Sequence, residues 1–195
     1  MKIPSTKDIA RTIFQKYRVN ASISSATELA DLLVPMRLRY HILLQEANST
    51  VTNLYYIESG LLRISHINEV SKDELVDGFV HKGEFFVPTD LFTDKPAVQV
   101  VKTIEPTVAY VLSYDSLKHH ALTNADFNDL MCAILEEIVL SQQAYNDLLS
   151  LSPKEKYVEL QKNRPYIPNR CPMKDVANYL RIRPETLSRI RTSLN

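Results

Sequence analysis

The spacing of apolar positions changes twice along the chain. Ile9, Ile13, Phe14 and Tyr17 recur every three or four residues, which predicts an amphipathic helix near the N-terminus. A second helix is expected over SATELADLL, where Ser25 and Glu28 form a capping-box pattern ahead of Leu29, Leu32 and Leu33. The period then falls to two. In MRLRYHI, Arg37, Arg39 and His41 alternate with Leu38, Tyr40 and Ile42, as a half-buried strand requires. LYYIESGLLRIS reads as two short strands turned near Gly60, and DELVDGFVHKGEFFV as two more punctuated by Gly78 and Gly83. AVQVVKTI and TVAYVLS add at least two strands, separated by Glu105–Pro106. Short strands at close intervals predict an antiparallel roll or barrel over roughly residues 35–114.

From about Phe127 the helical period returns. Met131, Leu135, Ile138, Gln142, Tyr145 and Leu149 follow the steps of a two-helix coiled-coil seam, and Leu130 and Ile134 form a second apolar stripe suited to packing on the roll. Two stripes call for two partners, and a symmetric dimer supplies the second; the other reading is a helix buried on one side of its own domain. In LSPKEKYVELQKN, Ser152, Pro153 and Glu155 form the start of another helix. RPYIPNRCP, with three prolines, reads as a connector. Two short helices come next, about Pro172–Leu180 and Pro184–Leu194, with Val176, Leu180, Ile182, Leu187 and Ile190 as an inner apolar set and Ala177 where the backbones approach. That is the pattern of a helix-turn-helix. Glu185, Ser188, Arg189 and Thr192 share the outer side of the last helix, opposite Leu187, Ile190 and Leu194. Arginine pairs with guanine and a carboxylate accepts from cytosine N4, so a glutamate beside an arginine points to base reading rather than phosphate binding alone.

The composition is that of an ordinary globular protein, 45% hydrophobic and 24% charged, with no apolar run of the ~18 residues a membrane span needs. MKIPSTKDIARTIFQ lacks the apolar core of a signal peptide, so a cytoplasmic location is expected. The zero net charge conceals an asymmetry: residues 153–195 carry ten lysines and arginines against four acidic residues, and the remainder is correspondingly acidic. A basic segment on an acidic body is suited to meeting an anion. Cys132 and Cys171 read as reduced structural thiols, and no spacing among the cysteines and histidines, the His119–His120 pair included, matches a metal site.

A roll, a long helix and a C-terminal helix-turn-helix, with E-x-x-S-R at Glu185, Ser188 and Arg189 and RPETLSRIR around it, resemble the Crp/Fnr transcriptional regulators. LYYIESGLLRIS and HKGEFF fall where that family has its roll strands. The resemblance implies an α+β chain in three parts: an effector or sensor roll with N-terminal helices over 1–126, a dimerisation helix over 127–151, and a helix-turn-helix unit over 152–195. It implies a non-enzymatic, homodimeric regulator on an inverted DNA repeat with a TGA-like core, with RNA polymerase and a small-molecule effector as further partners. Glu185, Ser188, Arg189, Thr186 and Thr192 would face DNA bases, and Arg181, Arg183 and Lys174 the phosphates.

The chain also departs from the family. Pro88 and Val98 stand where cyclic-nucleotide binders carry a ribose-binding glutamate and a phosphate-binding arginine, so cAMP is not the expected ligand and no cofactor is assigned. Lys82, Lys95 or Lys102 would have to supply any replacement charge. Two distant cysteines do not hold an iron–sulfur cluster. Arg181 occupies the turn position usually held by glycine, and no wing hairpin is expected after the last helix. Two other readings stay open: a cupin-like metalloenzyme, for which His41, His66 and His81 are scattered, and a ligand-binding module whose last helices dock on another protein.

Overall fold

A computed structural model describes residues 3–93 and 95–194. The first helix, α1 (Thr6–Lys16), begins where the Ser5 side chain accepts from the Asp8 N–H, and buries Ile9, Ala10, Ile13 and Phe14. The second, α2 (Ile23–Leu32), starts earlier than its capping-box pattern suggested. Its cap is Ser22, which accepts from the Ser25 N–H while its own N–H donates to Asp126 at 2.8 Å. Ser25 is instead buried inside the helix, where its hydroxyl accepts from Asn124 at 3.0 Å, and Glu28 accepts from Ser24.

Among the described residues eight strands succeed these helices: β1 (Val34–Leu38), β2 (Leu43–Gln45), β3 (Asn53–Ser59), β4 (Leu61–Ile67), β5 (Glu74–His81), β6 (Phe85–Phe86), β7 (Val100–Thr103) and β8 (Thr107–Ser113). They form two antiparallel sheets, ordered β1-β8-β3-β6 and β2-β7-β4-β5, so the roll is present with its expected extent. MRLRYHI is not one strand. It breaks after Leu38, with His41 at φ 58°, as the chain leaves the first sheet for the second. Gly60 turns the next corner from the first sheet to the second, between β3 and β4: its φ is +108°, and a Cβ there would lie 2.2 Å from the Thr107 hydroxyl. Gly78 does not punctuate two strands but lies within β5, beside a register shift that leaves Asp77 without a cross-strand partner on β4.

Two helices lead out of the roll towards the C-terminus. One, α3 (Tyr114–Thr123), was not expected; it buries only Leu117, so its sequence carries little helical periodicity. The long helix α4 (Ala125–Ser150) comes directly after it, capped by Asn124. Its Phe127, Leu130 and Ile134 pack with α1, α2 and Leu54, Tyr56, Tyr110 and Leu112 of the first sheet, as the second apolar stripe predicts. Burying each such side chain contributes about 1.5–3 kcal/mol. A separate cluster joins the two sheets through Ile57, Phe86 and Ala109 on one side and Leu62, Val80 and Val101 on the other.

The C-terminal helices are α5 (Pro153–Asn163), α6 (Tyr166–Arg170), α7 (Met173–Tyr179) and α8 (Pro184–Leu194). Glu155 accepts from the Ser152 N–H at 3.0 Å, completing the expected capping box. The proline-rich connector contains the short α6: Pro165 stands at its N-cap, where no N–H is needed, and Ile167 anchors it in the core. Leu148, Leu160, Ile167, Val176, Tyr179 and Leu187 share one apolar cluster with Leu61, Val76, Phe79 and Ile104 of the roll. The last helices are therefore packed onto the second sheet.

Candidate nucleic-acid interface and adjoining cleft

The turn between α7 and α8 fixes how the last helix is presented. Arg181 has φ 55°; its N–H bonds the Asn178 carbonyl and the Ile182 N–H bonds the Ala177 carbonyl, both at 3.0 Å. This is a Schellman termination, with an arginine at the left-handed position that favours glycine. The strain of about 1 kcal/mol is offset by the Arg181 side chain, which donates to the Asn178 carbonyl and side chain and lies 3.5 Å from Asp77. Val176, Ala177, Leu180, Leu187 and Ile190 are buried and Ile182 half-buried, so the inner set packs as its spacing implies.

This leaves one face of α8 outside. Glu185, Ser188, Arg189 and Thr192 are exposed, Thr186 is half-buried, and Arg183 and Lys174 are exposed beside them. Leu194 was expected to pack inward with Leu187 and Ile190, but it is exposed, because the helix has run past the core it packs on. Arg181 is set apart from the other cations by its bonds to Asn178 and Asp77.

A polar latch surrounds the seat of α7 on β5. The Asn178 side chain accepts from the Val76 N–H at 2.6 Å and donates to the Glu74 carbonyl at 2.9 Å, pairing with the strand edge as another strand would. Arg63, largely buried, donates to Glu74 at 2.8 Å, and its Nε lies 3.2 Å from Asp175 of α7, a charge contact without hydrogen-bond alignment. The Arg63 hydrogen bond holds the Glu74 carboxyl down at about 2 against the pull of burial, with help from Ser65. Arg170 of α6 bonds Glu105 and donates to the Gly60 carbonyl. None of these contacts was legible in the sequence, since the partners lie up to 110 residues apart.

Beside the latch, a cleft of about 790 Å³ lies between the roll, the end of α1 and the middle of α4, and reaches Arg164 and Tyr179. Val98 is 60% exposed and does not line it, and Pro88 precedes a short turn of 3-10 helix at Thr89–Phe92, so neither position offers the cleft a charge. Lys82, Lys95 and Lys102 lie outside its walls as well. Tyr145 closes one end, stacked on Tyr179 with ring centroids 4.7 Å apart and donating to its carbonyl at 3.0 Å.

Tyr145 thus belongs to an internal contact rather than to the outward seam, and Ile138 packs against the N-terminal core. Of the expected seam Leu135 is exposed on α4, with Val139 and Leu140 beside it at 64% and 57% exposure, Leu140 also lining the cleft. The three scattered histidines are engaged separately: His66 with Asp77, His81 stacked on Tyr166, and His41 against the Tyr40 ring. Among the described residues no group of three or more His, Cys, Asp or Glu is placed to hold a metal ion, and no helix is long and apolar enough to cross a membrane.

Residues 37–124, the roll with α3, match the cyclic nucleotide-binding domain family. The whole fold is similar to that of solved regulators of the Crp/Fnr type. The c-di-GMP responsive global regulator CLP of Xanthomonas campestris superposes with a TM-score of 0.69 at 18% identity, over 89% of this chain and 91% of that one. FixK2 from Bradyrhizobium japonicum gives 0.68 at 15% identity, over 83% and 84%. A transcriptional regulator of the Crp/Fnr family from Eubacterium rectale gives 0.69 at 11% identity, over 90% and 84%. No curated protein matches the sequence significantly.

Proposed function

We propose that the chain is a sequence-specific DNA-binding transcriptional regulator of the Crp/Fnr type rather than an enzyme, acting in the cytoplasm as a homodimer on an inverted-repeat site. The observation that carries this reading is the one-sidedness of α8: Leu187 and Ile190 are buried while Glu185, Ser188 and Arg189 stand together outside. In this reading α7 and α8 form a helix-turn-helix. Arg189 bonds O6 and N7 of a guanine, Glu185 accepts from a cytosine N4 amine, and Thr186 and Thr192 flank them. Lys174 and Arg183 hold phosphates on either side. The exposed Leu135, Val139 and Leu140 of α4 meet the same face of a second copy, which sets two recognition helices on half-sites about one helical turn apart. RNA polymerase is the further macromolecular partner of such a dimer, and the cleft is the place for an effector.

Selection of bound sequences from random DNA tests the reading. The expected product is an inverted repeat with a TGA-like half-site. Arg189→Ala should cost about 1–3 kcal/mol per half-site and relax the preference at one guanine. Selection of no sequence, or an Arg189→Ala protein with unchanged affinity and preference, removes the recognition-helix assignment.

A further inference from the structure

We propose that the cleft is a site for an uncharged planar aromatic molecule, and that the bound molecule touches the C-terminal helices directly. The first observation is charge. Asp77, Glu84, Glu136 and Glu137 line the cleft, against Lys16, Arg18 and Arg164. The cations are largely committed: Lys16 sits 2.7 Å from Glu137, and Arg164 donates to Ser141 at 2.8 Å within the field of Glu84 and Glu137. Burial alone would raise the Glu84 carboxyl, but the His81 backbone N–H, which donates to it at 3.0 Å, and the His81 ring 2.9 Å away outweigh burial and keep that carboxyl low, so the acidic side of the count stands at neutral pH. An incoming phosphate would meet more negative than positive charge; of the two lining guanidiniums Arg164 is committed to Ser141, and Arg18 is exposed to solvent, where it compensates little of a phosphate's desolvation.

The second observation is shape and surface. Phe79, Phe85, Phe86 and Tyr17 contribute aromatic wall, and the volume falls within the ~300–1,000 Å³ typical of small-molecule sites. Burial and Glu137 push the Tyr17 phenol up, and burial pushes Tyr145 up to about 12, so these walls stay neutral. At Gly78, a lining residue, a Cβ would meet nothing within 4 Å, so open space stands over the strand there. Flat neutral rings fit this surface and leave the carboxylates with their present partners.

The third observation is the end wall. Tyr179 lies on α7, and it lines both this cleft and a second cavity of about 550 Å³ on its other side, as do Tyr145 and Arg164. A molecule in the cleft therefore bears on a wall that α7 supplies, with the second cavity also bounded by Tyr179. Because it contacts α7 only while α7 is seated on β5, its binding favours the seated state. That this seating regulates DNA reading rests on the function proposed above; the binding and the seating do not.

The test contains no DNA, so its failure is distinct from failure of the DNA-reading proposal. N-phenyl-1-naphthylamine, a neutral fluorescent aromatic, is titrated into the full chain. One saturable site of micromolar affinity is expected. Gly78→Leu, which fills the cleft from the strand, and Ala133→Phe, which fills it from α4, should each weaken binding at least tenfold. Val70→Ser, at a fully exposed turn, should not change it. At a probe concentration of 100 times Kd, exchange of the Val76 amide, held by Asn178, should slow by up to about 100-fold. Absence of saturable binding, insensitivity to both cleft-filling variants, or displacement of the probe by micromolar cAMP or c-di-GMP overturns the ligand class. Unchanged exchange at Val76 overturns the contact with the C-terminal helices.

Discussion

The cations of the roll and those of the last two helices are used in opposite ways. Around the cleft and the latch, most positive side chains have an internal partner: Lys16 on Glu137, Arg63 between Glu74 and Asp175, Arg164 on Ser141, with Arg18 the exposed exception among the cleft's described lining. On α7 and α8, Lys174, Arg183 and Arg189 are exposed and form no ion pair with any described residue. An internally matched cation positions elements but has little left to offer an incoming anion. A row of unmatched cations keeps its interaction energy for a partner and raises the local concentration of polyanions. The roll thus has the fold of a cyclic nucleotide-binding domain with more acidic than basic groups lining its cleft, whereas the exposed cations of α7 and α8 suit the nucleic-acid partner proposed above. Fold and site are separable, and here they separate within one chain.

The largest expected effect comes from halving the row of free cations. Val139→Asp puts a charge in the outward face of α4 without touching the core below it, so sedimentation at micromolar concentration should show monomers where the wild type is dimeric. A monomer has half the free cations and one recognition helix, and its affinity for a full inverted repeat should fall by about 10²-fold or more, since the second half-site no longer binds at high effective concentration. Ile138→Asp should behave differently. Ile138 packs on its own chain's core, so that change should lower thermal stability first. A wild-type monomer at micromolar concentration would break this part of the comparison.

A smaller effect tests the matched cations. The Glu74 carboxyl is depressed from its ordinary 4.5 to about 2 by its hydrogen bond from Arg63. A carboxyl whose folded pKa is depressed contributes stability above its unfolded pKa, and loses it as the pH falls through the folded value. The seating of α7 should therefore be fully supported by this pair above about pH 4.5 and weaken between there and pH 2, read as faster exchange of the Val76 amide. Glu74→Gln should flatten the part of that pH dependence due to this pair. An unaltered profile in the variant would show that Glu74 is not part of the latch. Glu74 is itself 41% exposed, which keeps the effect modest.

Most of the architecture was legible because it is local. Short apolar runs set off by Gly60 and by Glu105–Pro106 gave β3, β4, β7 and β8, and capping chemistry gave the start of α5 at Ser152. Arg181 was placed by the family resemblance at a turn position where glycine is usual, and the structure has it left-handed at φ 55°. Other features depend on tertiary choice. Ser22 rather than Ser25 caps α2 because Asp126, a hundred residues away, secures the Ser22 N–H. α3 has one buried apolar residue and so almost no period to detect. Tyr145, expected in an outward seam of α4, is instead stacked on Tyr179, and nothing in the spacing of α4 announces a tyrosine on α7. On α8, by contrast, helical spacing alone placed Glu185, Ser188 and Arg189 on one side, because a two-helix hairpin has a single inside.

The smallest expected effect divides the basic residues among themselves. Lys174, Arg183 and Arg181 have the same formal charge and lie near the same proposed phosphates, but only Arg181 has an internal anion, 3.5 Å away on Asp77. Each phosphate neutralised by a free cation adds about 0.9 to the slope of log K against log salt. Lys174→Ala and Arg183→Ala should therefore each reduce the slope by about 0.9 per subunit, for specific and random DNA alike. Arg181→Gly should leave the slope nearly unchanged, because a cation already neutralised by Asp77 displaces few counterions. It should also relieve the left-handed strain at φ 55°, of about 1 kcal/mol, while giving up the bonds to Asn178, so the net change in melting temperature should be small. An Arg181→Gly protein whose salt slope falls as far as that of Lys174→Ala would mean that Arg181 exchanges Asp77 for a phosphate on binding. Releasing Asp77 would then be part of DNA recognition, and the division between matched and unmatched cations would apply to the free protein only.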